Sequence, residues 1–104
     1  MKYKVVFSPE AEEQLLTIYH YLANLASSTI AFNYTSSIIN YCENLNTFPL
    51  RGTKRDEIRP GLRLTNYRKQ TVIAFVVDND QISITGIFYG GQDYISVLQS
   101  EIEN

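Results

Sequence analysis

The sequence is poor in residues that build covalent or metal-linked frameworks. Its 104 residues include one cysteine, Cys42, and no tryptophan. A single cysteine excludes an internal disulfide and a cysteine-rich zinc site. The longest strongly apolar run, residues 72–77, is far shorter than the roughly 20 residues that a membrane-spanning helix needs. The N-terminus shows no signal-peptide pattern, and we expect a cytoplasmic protein with no membrane partner.

The common catalytic patterns are also missing. The sequence has no glycine-rich phosphate loop and no nucleophile elbow. Its only histidine, His20, falls in the middle of a predicted helix, and a serine or cysteine nucleophile would depend on it. The segment Asp78-Asn79-Asp80 begins like a calcium loop, but Ser83 stands where that loop needs glycine. We therefore expect no metal and no cofactor.

The sequence does contain enough apolar material for one folded domain. Hydrophobic residues make up 44% of the chain and charged residues 19%, which is typical of a globular protein rather than a disordered one. A chain of this length leaves no room for a second domain with its own core. We therefore assign residues 1–104 to a single domain.

Hydrophobic spacing predicts one strand followed by two helices. Residues 2–7 alternate as in a short strand. Ser8-Pro9 then begins a helix over residues 9–26, in which one apolar stripe recurs at helical spacing. The segment 27–29 can cap a second helix that reaches about residue 45. Because only a few residues join them, the two helices should form an antiparallel hairpin.

The second half of the chain predicts a loop and three strands. Residues 49–61 form the loop, with a turn expected at residues 56–59, and strands follow over residues 62–67, 70–78 and 81–89. A short final helix is expected over residues 93–98. These elements predict an α+β fold in which the helical hairpin packs on one face of a small antiparallel sheet, in the order β-α-α-β-β-β.

The pattern within the strands predicts how the sheet is covered. Residues 72–77 are apolar on both sides, so this strand is expected at the centre of the sheet with both faces covered. The C-terminal turn or a partner would cover the face away from the helices, and the first strand could leave an open edge. That second face would be lined by Arg63, Thr65, Tyr67, Thr85, Ile87 and Tyr89.

Charge is unevenly distributed along the chain. The protein has a net charge of −2, but residues 51–69 hold seven basic and two acidic residues, a local charge of +5. The remainder is correspondingly acidic. This segment indicates a directed contact with an anionic partner, although a solvated loop and strand face explains it equally well. Five of the seven cations are arginines, which favour forked contacts to phosphate or carboxylate.

The same half of the chain that holds these arginines also contains several tyrosines. The chain has eight tyrosines, several of them in or after the last strands. Arginine can stabilise phosphate charge while tyrosine or lysine acts as acid or base, so metal-free RNA cleavage is chemically possible. Tyrosine can also stack on bases. The alternative, which we favour, is that these tyrosines are amphipathic interface residues.

Four segments carry a family resemblance that covers nearly the whole chain. They are residues 3–11, Gly52 together with residues 57–63, residues 72–78, and residues 87–94. In order and spacing they resemble the RelE/ParE toxin superfamily, and in detail its ParE branch, the toxins of plasmid-stabilisation toxin–antitoxin pairs. The resemblance implies a non-enzymatic toxin of a type II system. Its target would be DNA gyrase, trapped with cleaved DNA, and it would form a hetero-oligomer with a ParD-like antitoxin that neutralises it.

Two alternatives stay open beside the gyrase inhibitor. One is a RelE-like ribosome-dependent endoribonuclease of mRNA, although Tyr89 stands where many relatives carry histidine. The other is a degenerate family member that only binds its antitoxin.

These hypotheses predict three sets of site residues. Target binding would use Arg51, Lys54, Arg55, Arg59, Arg63, Tyr89, Asp93 and Tyr94. A ribonuclease would use Arg59, Arg68, Tyr89 and Tyr94. Antitoxin binding would use Leu15, Ile18, Leu22, Ile38, Tyr67 and Ile87, which are also the best candidates for the core.

Overall fold

The first helix begins where its capping residues predict. The computed structural model describes residues 3–90, 95, 97 and 98. After strand β1 (Lys4–Phe7), the Ser8 hydroxyl accepts a hydrogen bond from the Ala11 amide at 3.0 Å, and helix α1 spans Pro9–Leu25. A cap of this kind satisfies an amide that has no partner within the helix. The predicted first helix is confirmed to within one residue.

The second helix is capped in the same way. The Ser27 hydroxyl accepts from the Ile30 amide at 3.1 Å, and helix α2 spans Ser28–Glu43. A single 3-10 turn, Asn44–Asn46, follows and buries Leu45. The two helices pack against each other as the predicted hairpin. Of the described helices, none is both long and apolar enough to span a bilayer.

Five strands form one sheet in the order β1-β5-β4-β3-β2. The remaining strands are β2 (Thr53–Lys54), β3 (Leu62–Tyr67), β4 (Thr71–Asp78) and β5 (Gln81–Tyr89). The three long predicted strands are confirmed, and β4 lies at the centre. Strand β2 was not predicted, because two residues are too few to show an alternating pattern.

The sheet is mostly antiparallel, which confirms the predicted α+β fold, but one of its strand pairs is parallel and was not predicted. Strands β2, β3, β4 and β5 pair antiparallel, whereas β1 pairs parallel to β5, with Val5 opposite Ile82. Short turns enforce antiparallel pairing between sequential strands, but the helical hairpin separates β1 from the others and removes that restriction. Strand β1 is an edge strand of the sheet.

Both faces of the sheet are covered. Against the helices, Ile73 and Phe75 of β4 pack with Ile18, Leu22 and Ile38 in the main core. On the opposite face, a second cluster contains Ile58, Leu62, Leu64, Ala74, Phe88 and Leu98, with Ile95 and Val97 packed against it. The C-terminal segment therefore contributes to the predicted cover. Residues 95, 97 and 98 are helical, while 93, 94 and 96 lie outside the described residues.

Four residues expected on the far face point toward the helices instead. Ile87 belongs to the main core, Tyr67 and Tyr89 pack against it, and the Thr65 hydroxyl hydrogen-bonds the Tyr41 hydroxyl of α2 at 3.0 Å. Alternation separates the two faces of a strand but does not reveal which of them the helices cover. A register shift at Ala74 and Phe75 also places both Ile84 and Ile87 in the main core, although regular alternation would separate them.

Candidate functional site

The basic segment is fixed to the edge of the sheet through Gly52. This glycine has φ +84°, and a Cβ atom there would lie 2.3 Å from the carbonyl oxygen of Leu64. Only glycine tolerates both the left-handed backbone and this close approach. Strand β2 then pairs Thr53 with Leu64 and Lys54 with Arg63. The basic loop therefore lies against β3 instead of extending freely into solvent.

A tight turn completes the loop between β2 and β3. The Arg55 amide donates to the Leu62 carbonyl at 2.8 Å, and the Gly61 amide donates to Asp56 Oδ1 at 2.9 Å. The second bond is the main reason that the pKa of Asp56 lies below its usual value. The turn expected at residues 56–59 is confirmed, and it folds the chain back into β3.

Two of the five cations predicted for target binding are paired with neighbouring acids. Lys54 Nζ lies 3.5 Å from Asp56 Oδ2, and Arg55 forms a hydrogen-bonded ion pair with Glu57. The hydrogen bond from Arg55 is also the main reason that the pKa of Glu57 is lowered. Exposed pairs of this kind contribute little stability, but they cancel most of the positive field that Lys54 and Arg55 would present to a target.

The other three predicted cations form no ion pair with any described residue. The Arg51 guanidinium lies 5.5 Å from the ring centroids of both Tyr41 and Phe48. Arg63 Nη1 donates to the Leu50 carbonyl at 2.9 Å, which ties the loop to β3, and Arg59 is exposed. These guanidinium groups keep most of their donors available, so they carry the net positive charge of the loop.

A continuous row of five tyrosines follows the contact between the helices and the sheet, with the exposed Tyr21 at one end. We call it the tyrosine row; adjacent ring centroids are 5.0–6.1 Å apart. In spatial order its members are Tyr21, Tyr89, Tyr34, Tyr67 and Tyr41. Spacings of this kind are typical of tilted and edge-to-face aromatic pairs.

Most hydroxyls of the tyrosine row are hydrogen-bonded. The Tyr34 hydroxyl bonds Thr71 Oγ1 at 2.7 Å, and Tyr89 donates to Gln70 Oε1 at 3.1 Å. Because Thr71 is fully buried, the bond to Tyr34 satisfies a polar group that would otherwise be costly. Much of the tyrosine bias of this sequence therefore serves packing between the layers, as favoured above.

Among the described ribonuclease candidates, Arg68 and Tyr89 lie at the same end of the sheet, because Thr71 pairs with both Tyr67 and Tyr89, but Arg59 lies apart from them. Arg59 precedes β3 and Arg68 follows it, so a strand of about 17 Å separates them. Burial and the neighbouring Tyr34 and Tyr21 raise the pKa of Tyr89, which makes it a poor general base near neutral pH. Asp93 and Tyr94 lie outside the described residues.

Four of the predicted antitoxin-binding residues are core residues, which corrects that set. Ile18, Leu22, Ile38 and Ile87 have exposures of 4%, 7%, 0% and 1%. A partner cannot reach these side chains without opening the domain. The apolar stripe that made them candidates is the stripe that packs on the sheet. Leu15 and Tyr67 are half-buried and stay accessible in part.

An accessible apolar groove, called here the outer groove, is instead lined by residues of β1, α1 and α2. It has a volume of about 390 Å³, and its lining includes Phe7, Leu15, Leu16, Tyr19 and Ile39. Leu16 is 56% exposed. One feature of the sequence indicates this surface. Phe32 and Ile39 lie outside the main apolar stripe of α2, so this helix is apolar on more than one side.

The described residues contain no cluster of three or more metal-ligating side chains. Cys42 is fully buried in α2, and burial raises the pKa of its thiol to about 12. A thiol of this kind stays neutral and is a weak nucleophile at physiological pH.

Comparison with known families identifies the fold and class. Residues 5–94 match the family described as the ParE toxin of the type II toxin–antitoxin system parDE. The chain belongs to the ParE toxin family. It is therefore a toxin of a type II toxin–antitoxin system, as the resemblance implied. No curated protein matches the chain in a sequence search.

Solved structures agree with the ParE fold. A chain of the chromosomal ParDE toxin–antitoxin system from P. aeruginosa superposes with a TM-score of 0.74 at 20% identity, covering 86% of this chain and 97% of the other. A chain of the toxin–antitoxin complex RelBE2 from Mycobacterium tuberculosis gives a TM-score of 0.63 at 13% identity, covering 86% and 99%. The chain thus shares its fold with both of these chains.

Proposed function

We propose that this chain is a toxin that inhibits DNA gyrase by trapping the complex with cleaved DNA, and that a ParD-like antitoxin neutralises it. The observation that carries the proposal is the ParE family match over residues 5–94. The basic loop supports it, because Arg51, Arg59 and Arg63 form no ion pair among the described residues and are held on a fixed backbone.

The antitoxin contact uses the outer groove of the helical hairpin. Leu16 lines this groove and is 56% exposed, and an exposed apolar side chain in a groove favours a protein partner. The two similar solved structures come from a ParDE system and from a toxin–antitoxin complex, which supports an antitoxin partner here too.

A ribosome-dependent endoribonuclease is the second candidate. The similarity to a chain of RelBE2 and the contact of Arg68 with Tyr67 at 5.2 Å favour it. The distance between Arg59 and Arg68 and the raised pKa of Tyr89 weigh against it. Gyrase inhibition is therefore the proposal that we prefer.

The decisive experiment is a gyrase supercoiling and DNA-cleavage assay with the purified chain, with and without the product of the neighbouring antitoxin gene. We expect lost supercoiling, accumulated cleaved DNA and reversal by the antitoxin. The variant Arg59→Gln, Arg63→Gln should stay folded and lose most of this effect. A matched control, Lys2→Gln, Lys4→Gln, removes the same charge near the N-terminus of the sequence and should keep it.

Other outcomes would contradict the gyrase proposal. Unaffected gyrase with new mRNA 5′ ends in expressing cells would establish the ribonuclease instead. Unaffected gyrase, intact mRNA and harmless expression of folded protein would indicate a degenerate member that only binds its antitoxin. A fully active Arg59→Gln, Arg63→Gln variant would remove those two arginines from the target site.

A further inference from the structure

The outer groove contains one charged residue, Glu12, in a lining that is otherwise uncharged. The uncharged residues among those described are Phe7, Leu15, Leu16, Tyr19, Thr35 and Ile39. The buried Thr35 hydroxyl is already satisfied within α2, where it donates to the Ala31 carbonyl at 2.9 Å. Glu12 is exposed and forms no ion pair with any residue that the structure describes. Its carboxylate is therefore the one charged group that the described lining offers to a ligand.

Glu12 lies at one end of the groove wall that α1 provides. The α1 residues that line the groove are 12, 15, 16 and 19, which share one face of the helix. Residues 12 and 19 are separated by about 10.5 Å along the helix axis. The wall is therefore charged at one end and apolar or aromatic over the rest, so it presents different chemistry to the two ends of a bound segment.

We infer that Glu12 selects and orients the antitoxin segment that fills the outer groove, by pairing with a lysine or arginine of that segment. The inference rests on the proposed function, in which this groove binds the antitoxin. Apolar side chains of the segment would cover Leu15 and Leu16 and would withdraw Glu12 from water. A carboxylate that loses water without gaining a cation is costly, so a segment that lacks the cation is rejected.

The charge of the helical hairpin favours the same kind of partner. Residues 9–43 include four glutamates and no lysine or arginine, so their field attracts a cationic segment and repels an anionic one. The basic loop joins β2 and β3 at the edge of the sheet opposite β1, whose Phe7 lines the groove. An acidic segment is therefore drawn to the other edge of the sheet, and the outer groove is left for a basic and apolar one.

Glu12 also has an ordinary structural role, which it shares with Glu10. Both lie in the first turn of α1, where a negative charge stabilises the helix dipole. Side chains two positions apart on a helix do not face the same side, and Glu10 is not among the residues that line the groove. Charge reversal at either position changes the helix start and the net charge alike, but only reversal of Glu12 changes the groove.

The test is isothermal titration calorimetry of the purified chain with the product of the neighbouring antitoxin gene, at about 50 mM and about 300 mM salt. We expect Glu12→Lys to weaken binding by roughly tenfold or more at the lower salt, and by less at the higher salt, because like charges would then meet across the interface. The control Glu10→Lys should bind like the parent. Circular dichroism spectra and urea midpoints of the two variants should coincide.

A charge exchange identifies the partner of Glu12. Replacement of one lysine or arginine of the antitoxin by glutamate should weaken binding to the parent chain and restore binding to Glu12→Lys. The inference is overturned if the two charge reversals weaken binding alike, or if no single replacement in the antitoxin restores it. A dimer of the chain alone that Glu12→Lys dissociates would assign the groove to a second copy instead, which also contradicts the inference.

Leu16→Ala separates failure of this inference from failure of the proposed antitoxin contact. Weaker binding by Leu16→Ala with unchanged binding by Glu12→Lys would leave the antitoxin in the groove and remove the selection by charge. Unchanged binding by both variants would remove the antitoxin from the groove altogether. The gyrase assay of the chain without antitoxin does not depend on either result.

Discussion

The hairpin between β3 and β4 should become more stable when its two cations are replaced. Arg68 and Lys69 both adopt positive φ, which costs a residue other than glycine about 1–2 kcal/mol. The variant Arg68→Asn, Lys69→Gly places residues that tolerate this backbone at both positions. It therefore relieves strain without touching the core.

The expected gain in the free energy of unfolding is the sum of one favourable and two unfavourable effects. Relief at the two positions contributes about 2 kcal/mol. The new glycine costs roughly 0.5 kcal/mol because the unfolded chain gains freedom. Loss of the exposed contact between Arg68 and Tyr67 costs about 0.5 kcal/mol. The free energy of unfolding should rise by about 1 kcal/mol, which shifts Tm upward by about 4 °C in a domain of this size.

Urea and thermal unfolding measure this change directly. Asn79→Gly is the matched control, because Asn79 has φ +50° in the next hairpin and asparagine already tolerates that region. Its stability should change by less than about 0.5 kcal/mol. The reasoning is refuted if the Arg68→Asn, Lys69→Gly variant is no more stable than the parent.

Three further predictions concern the loop, the two helical faces and the buried thiol. Gly52→Ala should lower the free energy of unfolding by about 1–3 kcal/mol in urea titrations, because the new Cβ meets the Leu64 carbonyl. Ile38→Ala should cost about 2–5 kcal/mol, whereas Leu16→Ala should leave stability within about 0.5 kcal/mol and weaken antitoxin binding in calorimetry. Cys42 should resist a thiol reagent until the chain unfolds.

The free energy of unfolding measured at raised pH provides a second test of the burial of Cys42. Its folded pKa of about 12 exceeds the ordinary value of 9.0, so the folded chain keeps a proton that the unfolded chain loses. The stability linked to this proton is complete below pH 9 and decreases as pH rises from 9 toward 12. Cys42→Ala should lessen that alkaline loss.

Clear outcomes would contradict each of these predictions. A thiol that reacts at the same rate in folded and unfolded protein would place Cys42 at the surface. A stable Gly52→Ala variant would mean that the backbone beside Leu64 can move. Unchanged antitoxin affinity in Leu16→Ala would move the antitoxin contact away from the outer groove.

Local signals made most of the fold predictable. Ser8 and Ser27 mark the helix starts because a hydroxyl can satisfy an amide that the helix leaves free. Turn residues delimit β3, β4 and β5 because short connections must reverse the chain. Pairings between segments that are distant in sequence could not be predicted in this way. The parallel pairing of β1 with β5 joins residues almost 80 positions apart, and no local pattern encodes it.

The candidate site was predictable in composition but not in arrangement. Sequence places Lys54 and Arg55 among the target-binding cations, whereas the turn brings Asp56 and Glu57 against them. Sequence also cannot distinguish an apolar stripe in the core from one that binds a partner, so Ile38 is a candidate for both, and the structure places it in the core. An apolar stripe shows which face of a helix is covered, but not whether the sheet or a partner covers it.

Gyrase itself provides the most direct measurement of the proposed function. Purified chain, gyrase, ATP and relaxed plasmid should give little supercoiled product and a rising fraction of cleaved DNA, and the cognate antitoxin should restore supercoiling. The variant Arg59→Gln, Arg63→Gln should give far less cleaved DNA than Lys2→Gln, Lys4→Gln. Normal supercoiling and no cleaved DNA in the presence of folded, abundant chain would contradict gyrase as the target.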